Sequence, residues 1–173
     1  MSTAPFRLVP FDRAYDRSAF RSDSVQLNCY LKQQVTQDIR RRMAACFVAL
    51  AEGQRIAGYY TLASASIPLT ELPASTGRKL SRYPAVPAIR MGRLAVDRAF
   101  KGKGLGGALL ADALERAASS EIAAFALMVD AKDKSAMAFY QHHGFISLPE
   151  MAYTLFLPLA GVRARKTSES RSS

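Results

Sequence analysis

The stretch Asp97–Leu114, DRAFKGKGLGGALLADAL, packs Gly102, Gly104, Gly106 and Gly107 into six residues, with Lys101 and Lys103 among them. An alanine- and leucine-rich run follows at once. Glycine permits backbone angles and close approaches that a Cβ blocks. The first amides of a helix have no intrahelical acceptor, and the helix dipole adds about half a positive charge there. A glycine loop feeding a helix is therefore a bed for a diphosphate. Three chemistries share that bed. A P-loop needs Ser or Thr after Gly-Lys to hold magnesium, and here Lys103 is followed by Gly104. A dinucleotide fingerprint G-x-G-x-x-G is met by Gly102, Gly104 and Gly107, with Asp130 lying 23 residues beyond. That fingerprint belongs on the first strand of a doubly wound sheet, and too little chain follows Asp130 to build one. Arg90 and Arg93 are also unusual for a buried parallel strand. The third chemistry is an acyl-CoA site.

Further along, Ala136, Phe139, Tyr140, Gly144 and Phe145 are grouped as A-x-x-F-Y-x-x-x-G-F. By periodicity alone, Ala136, Phe139, Tyr140 and His143 form one apolar helix face and Tyr140 reads as core. Glu52, Glu71 and Glu115 sit in no motif that would mark a general base. His142 and His143 adjoin the Tyr140 turn and read as surface or cap residues. Neither has a cysteine or carboxylate at metal-ligand spacing, so no metal is expected.

These groups need elements to hold them. Leu27, Leu31, Val35, Ile39 and Met43 recur every four residues as a helix face, ending near Arg40, Arg41 and Arg42. CFVALAE, GQ and RIAGYYTLASASI read as a hairpin of two strands. TELPASTGRKLSRYPAVPA is a loop with room for a short helical turn, and IRMGRLAVD is a strand. The glycine loop leads into a helix from about Leu105 to Ser119. IAAFALMVDA is a buried strand, and YTLFLPL is the last one. SAMAFYQHHG is a short helix, with Ser135 as candidate N-cap and Gly144 as its stop. Hairpin strands followed by β-α-β-α-β predict an α/β (α+β mixed) fold, a mixed sheet flanked by helices. The expectation is one domain over residues 1–160 and a basic, disordered tail over 161–173.

Two cysteines, Cys29 and Cys46, are too few for a disulfide framework and read as reduced core thiols of a cytoplasmic protein. No signal-peptide core and no apolar run of about 18 residues is present, so no membrane partner is expected. The charge is less ordinary: 24 Lys and Arg against 14 Asp and Glu give +10. Eight basic residues against the single acid Asp97 lie between Arg78 and Lys103. That field beside the glycine loop favours a phosphate-bearing partner.

The segment RLAVDRAFKGKGLGGALLADAL resembles the acetyl-CoA motif of the GNAT N-acetyltransferases, with Lys101, Gly104 and Gly106 on [Gln/Arg]-x-x-Gly-x-[Gly/Ala]. Lys101 replaces the usual Gln or Arg. The second motif of that family is complete from Ala136 to Phe145. The resemblance implies a GNAT fold with a splayed sheet, and acetyl-CoA as acetyl donor. Its diphosphate would lie on Lys101, Gly102, Lys103, Gly104, Leu105, Gly106 and Gly107. Its pantetheine arm would pair with Leu94, Ala95 and Val96, and Tyr140 would be the general acid. Acetyl transfer needs a neutral amine, and no general base stands out. A lysine amine near pKa ~10.4 is almost wholly protonated at neutral pH, whereas an α-amine near ~7.7–8.0 is partly free. The acceptor expected is an α-amine.

The N-terminal half, from Phe20 through Leu27, Asn28, Tyr30, Leu31 and Gln37 to Arg42, resembles the TacT-type GNAT toxins. Their usual Asp-Cys-Gly turn reads Arg21, Ser22, Asp23 here. The resemblance implies acetylation of the α-amine of aminoacyl-tRNA, which blocks translation. It also implies a homodimer, neutralisation by a ribbon-helix-helix antitoxin, and contact with DNA only through that antitoxin. By that analogy Arg78, Lys79, Arg90 and Arg93 hold the tRNA backbone. A protein N-terminal or small-molecule amine acetyltransferase, or a non-catalytic CoA-binding co-repressor, are the alternatives.

Overall fold

The computed structural model describes residues 6–80 and 82–162. Of the predicted tail, residues 163–173 lie outside the described residues. Strands β1 (Arg7–Pro10), β2 (Ala45–Leu50), β3 (Ile56–Pro68), β4 (Ala85–Val96), β5 (Ala126–Asp130), β6 (Ile146–Ser147) and β7 (Thr154–Pro158) form one mixed sheet in the order β1-β2-β3-β4-β5-β7-β6. The helices are α1 (Val25–Cys29), α2 (Val35–Arg40), α3 (Ala74–Gly77), α4 (Leu105–Ala118) and α5 (Lys134–His142). The edge strands β1 and β6, at four and two residues, were too short to leave a readable alternation in the sequence.

The chain forms two compact units. Among the described residues, the first comprises 6–63 and 92–113. Its hairpin is as predicted: β2 and β3 pair antiparallel, and β1 adds to β2 on the outside. Ser24 caps α1 by accepting from the Leu27 amide at 3.2 Å. The turn before it departs from the resembled pattern yet is well supplied with bonds. Asn28 Oδ1 accepts from the Ser22 amide and hydroxyl at 2.8 and 2.7 Å.

Between α1 and α2 the helix widens over Tyr30–Gln34, where the Val35 amide donates to the Tyr30 carbonyl. This widening bears on the predicted apolar face. A period of four runs ahead of a 3.6-residue helix by about 40° per step, and one wide turn absorbs that drift. Leu31 and Val35 are accordingly fully buried. The prediction fails beyond them: Ile39 and Met43 are exposed, because α2 ends at Arg40 and Arg42 takes a positive φ of 59°. Phe20, Tyr30, Leu31, Val35, Val48, Ile56 and Tyr59 make the core of this unit. Fully burying such side chains stabilises by roughly 1.5–3 kcal/mol each. Cys46 belongs to that core, but Cys29 is exposed and corrects the expectation of two core thiols. It points outward because α1 is only five residues long and buries none of them.

Among the described residues, the second unit comprises 64–80, 82–91 and 114–162. Strand β4 begins at Ala85, inside the stretch predicted as loop. Pro87 is tolerated because its carbonyl, which needs no N–H, accepts from the Phe125 amide at 2.8 Å. The remainder of that stretch folds into α3 and flanking 3-10 turns, Leu69–Glu71 and Arg78–Leu80. Strand β5 pairs parallel with β4 over Ala88–Met91 and antiparallel with β7. Four successive residues of β5 are buried although their side chains alternate between the two faces, so both faces are covered, which explains the unbroken apolar run Ala126–Val129. Ile67, Val86, Ala88, Ala126, Met128, Leu148 and Phe156 pack as the core.

Candidate active site

The glycine loop opens where β4 ends. Asp97, buried at 2% exposure, is its anchor. One carboxylate accepts from the Arg21 amide at 2.9 Å and the Ala99 amide at 2.8 Å, and pairs with Arg55 at 3.3 Å. Sequence reasoning counted Asp97 only as the lone acid in a basic segment. Its position directly after a strand and before a turn was the available signal.

Within the loop, Gly102 and Gly104 hold φ of +76° and +75°. Those left-handed conformations turn the chain into α4, which starts at Leu105. Gly106 and Gly107 lie inside α4. No acidic side chain occupies the first turn of α4, where the helix dipole favours an anion. The two lysines have internal partners. Lys101 pairs with Asp23, which also accepts from Arg98 Nε at 3.0 Å. Lys103 sets its ammonium 5.6 Å from the Phe100 ring centroid.

Close packing fixes α4 against the hairpin. A Cβ on Gly58 would lie 2.9 Å from Leu109 Cδ1 and 3.0 Å from the Ala95 carbonyl oxygen. Tyr60 donates to Asp112 of α4 at 2.5 Å. Leu94, Ala95 and Val96 continue β4 beyond Met91, the last residue that pairs with β5. The residues fit an acyl-CoA diphosphate: two left-handed glycines with no atom crowding a Cβ position, then the first turn of a helix, whose amides have no intrahelical acceptor, in a basic stretch of sequence.

Tyr140 lies on α5 in the second unit. The predicted N-cap Ser135 is corrected: Asp133 caps the helix, its Oδ1 accepting from the Ala136 amide at 2.8 Å. A carboxylate also suits the positive end of the dipole better than a hydroxyl. Gly144, at φ +92°, follows the helix as predicted. Tyr140 is 6% exposed, its ring among Phe139 and Phe145 at 5.3 and 5.6 Å. Burial, aided by the negative charge of Asp130, pushes its phenol up to about 12. The phenol is thus held neutral, in the state that donates a proton.

Of the basic residues proposed for a polyanion, Arg78 and Lys79 are exposed on a 3-10 turn of the second unit. Arg90, on the same unit, is ion-paired with Asp130, which also accepts from Thr154 Oγ1 at 2.9 Å. Arg93 belongs to the first unit and stacks on Tyr30. Among the described residues no group of three or more His, Cys, Asp or Glu is placed to hold a metal ion. No described helix is long and apolar enough to cross a membrane.

The acetyltransferase (GNAT) family model matches residues 11–145, and the chain belongs to that family. Its class is therefore an acetyl-CoA-dependent acyltransferase. More particularly, the chain is similar to toxins that act on tRNA. It is 35% identical to a tRNA-acetylating toxin of Mycobacterium tuberculosis over 94% of this chain and 95% of the relative. A tyrosine-to-phenylalanine mutant of KacT superposes with a TM-score of 0.85 at 27% identity, covering 93% of this chain and 99% of KacT. AtaT complexed with acetyl-methionyl-tRNAfMet does so at 0.84 and 26%, covering 97% and 99%.

Proposed function

We propose that the protein acetylates the α-amine of aminoacyl-tRNA in the cytoplasm and so blocks translation. The observation that carries this is the 35% identity, across nearly the whole chain, to a toxin that acetylates tRNA. The glycine bed, the neutral phenol and the basic charge support it.

In the reaction so read, the free amine attacks the thioester carbonyl. A C–N bond forms, the C–S bond breaks, and the departing thiolate takes the Tyr140 proton. The nitrogen loses its extra proton to solvent, and the tyrosinate recovers one from water. An acetylated amine has no free lone pair for peptide-bond formation. Lys101, Gly102, Lys103, Gly104, Leu105, Gly106 and Gly107 are the diphosphate site in this reading, with Leu94, Ala95 and Val96 the pantetheine edge. Arg78 and Lys79 offer whole guanidinium and ammonium groups to RNA phosphates. Arg90 and Arg93 offer only the N–H groups their internal partners leave over. A homodimer and a ribbon-helix-helix antitoxin, which would carry the complex to DNA, belong to the same proposal.

The test is incubation with acetyl-CoA and total charged tRNA, followed by mass analysis of the released amino acids. N-acetylated amino acids are expected. Acetylated protein N-termini with untouched tRNA would replace this reading with the protein-directed one.

A further inference from the structure

A groove unused by the acetylation chemistry lies on the first unit, between the segment after β1 and the outer face of α2. Phe11, Asp12, Arg13, Thr36, Ile39 and Arg40 line about 380 Å³. Two of these residues, Phe11 and Ile39, are apolar, and two, Arg13 and Arg40, carry guanidiniums. Phe11 is stiffly mounted. Arg17 sits 5.3 Å from the Phe11 ring centroid and is itself tied to the Leu31 carbonyl at 2.9 Å and Thr36 Oγ1 at 3.3 Å.

Asp12 is part of the lining, but the neighbouring acids are hydrogen-bonded to other groups and make no ion pair with Arg13 or Arg40 among the described residues. Asp12 accepts from the Ala14 amide, Asp16 from the Ser18 amide and hydroxyl, and Asp38 from the Tyr30 hydroxyl and Gln34. Arg13, Arg40 and Arg42 form no ion pair among the described residues.

We propose that this groove binds one unstacked nucleotide of the RNA substrate, the base on Phe11 and Ile39 and the flanking phosphates on Arg13 and Arg40. The inference rests on the aminoacyl-tRNA reading above and names a contact that reading does not contain. The shape favours RNA over a peptide. A helical peptide needs a row of apolar anchors at i, i+3, i+4 and i+7, and only two of the six lining residues are apolar. A base needs one flat ledge, and its phosphates need fork-shaped donors close by. The volume sits at the low end of small-ligand pockets, roughly 300–1,000 Å³.

The experiment measures binding of deacylated tRNA by fluorescence anisotropy across a salt series. It compares the full chain with Arg13→Gln/Arg40→Gln, Ile39→Ala and the control Arg7→Gln, each checked by thermal denaturation. The double variant is expected to weaken binding about tenfold or more and to reduce the log–log salt slope by roughly 1.5–2, one step per lost phosphate. Ile39→Ala should weaken binding with the slope unchanged, and Arg7→Gln should stay within about twofold of the parent. If the parent acetylates aminoacyl-tRNA while the double variant binds tRNA equally well, the groove assignment is overturned and the proposed function stands. If the parent neither binds nor acetylates tRNA, both fall. Equal tRNA binding by the parent and the double variant, with a short poly-glutamate peptide binding the parent alone, would assign the groove to an acidic peptide instead.

Discussion

The guanidinium of Arg93 lies 3.5 Å from the centroid of the Tyr30 ring. Tyr30 in turn stacks on Tyr59 at 6.3 Å and donates its hydroxyl to Asp38 at 2.9 Å. Burial, then the bond to Asp38, raises the Tyr30 phenol far above its ordinary value, so the ring stays neutral beneath the cation. The stack fastens the N-terminal helices to β4 immediately before Leu94, Ala95 and Val96. Partly desolvated cation–π contacts are worth about 0.5–2 kcal/mol. Arg93→Ala should lower the unfolding free energy by that amount, read as a lower urea midpoint at unchanged slope, and Arg93→Lys should recover part of it. An unshifted midpoint for Arg93→Ala would remove the stack from the structural account.

Gly58 supports the loop from beneath. Its neighbour Ala95 O at 3.0 Å is backbone and cannot swing aside like a rotamer. Gly58→Ala must push α4 or β4 outward, a small-to-large strain of about 1–3 kcal/mol. Both the denaturation temperature and the acetyl-CoA affinity, read by calorimetry, should fall together. A variant as stable as the parent contradicts the packing described.

Gly104 is a different case, since nothing lies within 4 Å of its Cβ position. Any effect of substitution there is conformational, on the order of 1–2 kcal/mol for an L-residue at that φ. Acetyl-CoA affinity should fall in the order Gly, Asn, Val at this position, because Asn tolerates the left-handed region and a β-branched residue does not. Equal affinities for Asn and Val would mean the loop does not need the turn to hold its ligand.

Tyr140→Phe should lower kcat by about 10²–10⁴-fold while acetyl-CoA still binds. The parent's pH profile carries a second test. With its phenol near 12, Tyr140 remains protonated across the assay range. The rate should climb through the acceptor amine's pKa, near ~7.7–8.0, and then stay level to about pH 10. Because the folded value exceeds the unfolded one, the stability linked to this group is complete below about pH 10. It is lost as pH rises toward 12. A fall in kcat between pH 8 and 9 that vanishes in Tyr140→Phe would contradict the raised phenol.

The two thiols should differ. Burial pushes Cys46 up to about 12, whereas Cys29 is exposed. A thiol-reactive chromophore should report one fast thiol in the folded protein and the second only on unfolding. Two fast thiols would contradict the burial of Cys46.

The features legible in the sequence were those written into neighbouring residues. Loop glycines before α4, the β2–β3 hairpin, the apolar run of β5 and the Gly144 stop all follow from local backbone freedom and side-chain period. The position of Tyr140 on its short helix was legible for the same reason. Misreadings arose where two local rules competed. Ser135 and Asp133 are both good caps, and Pro87 reads as loop until the Phe125 amide is brought to donate to its carbonyl. The groove of Phe11 and Ile39 had no motif, since its two walls come from separate stretches of chain.

What the order of residues determined alone was the family, the glycine turn and the surplus of positive charge. Only the folded chain decided which charges are spent internally. Asp97 meets the Arg21 amide from 76 residues away, Asp23 takes Lys101, Asp130 takes Arg90, and Tyr30 takes Arg93. The reason is physical: backbone preferences act over one or two turns of chain, whereas a charge seeks whichever opposite group or ring the packing brings within a few ångströms, however distant it is in sequence.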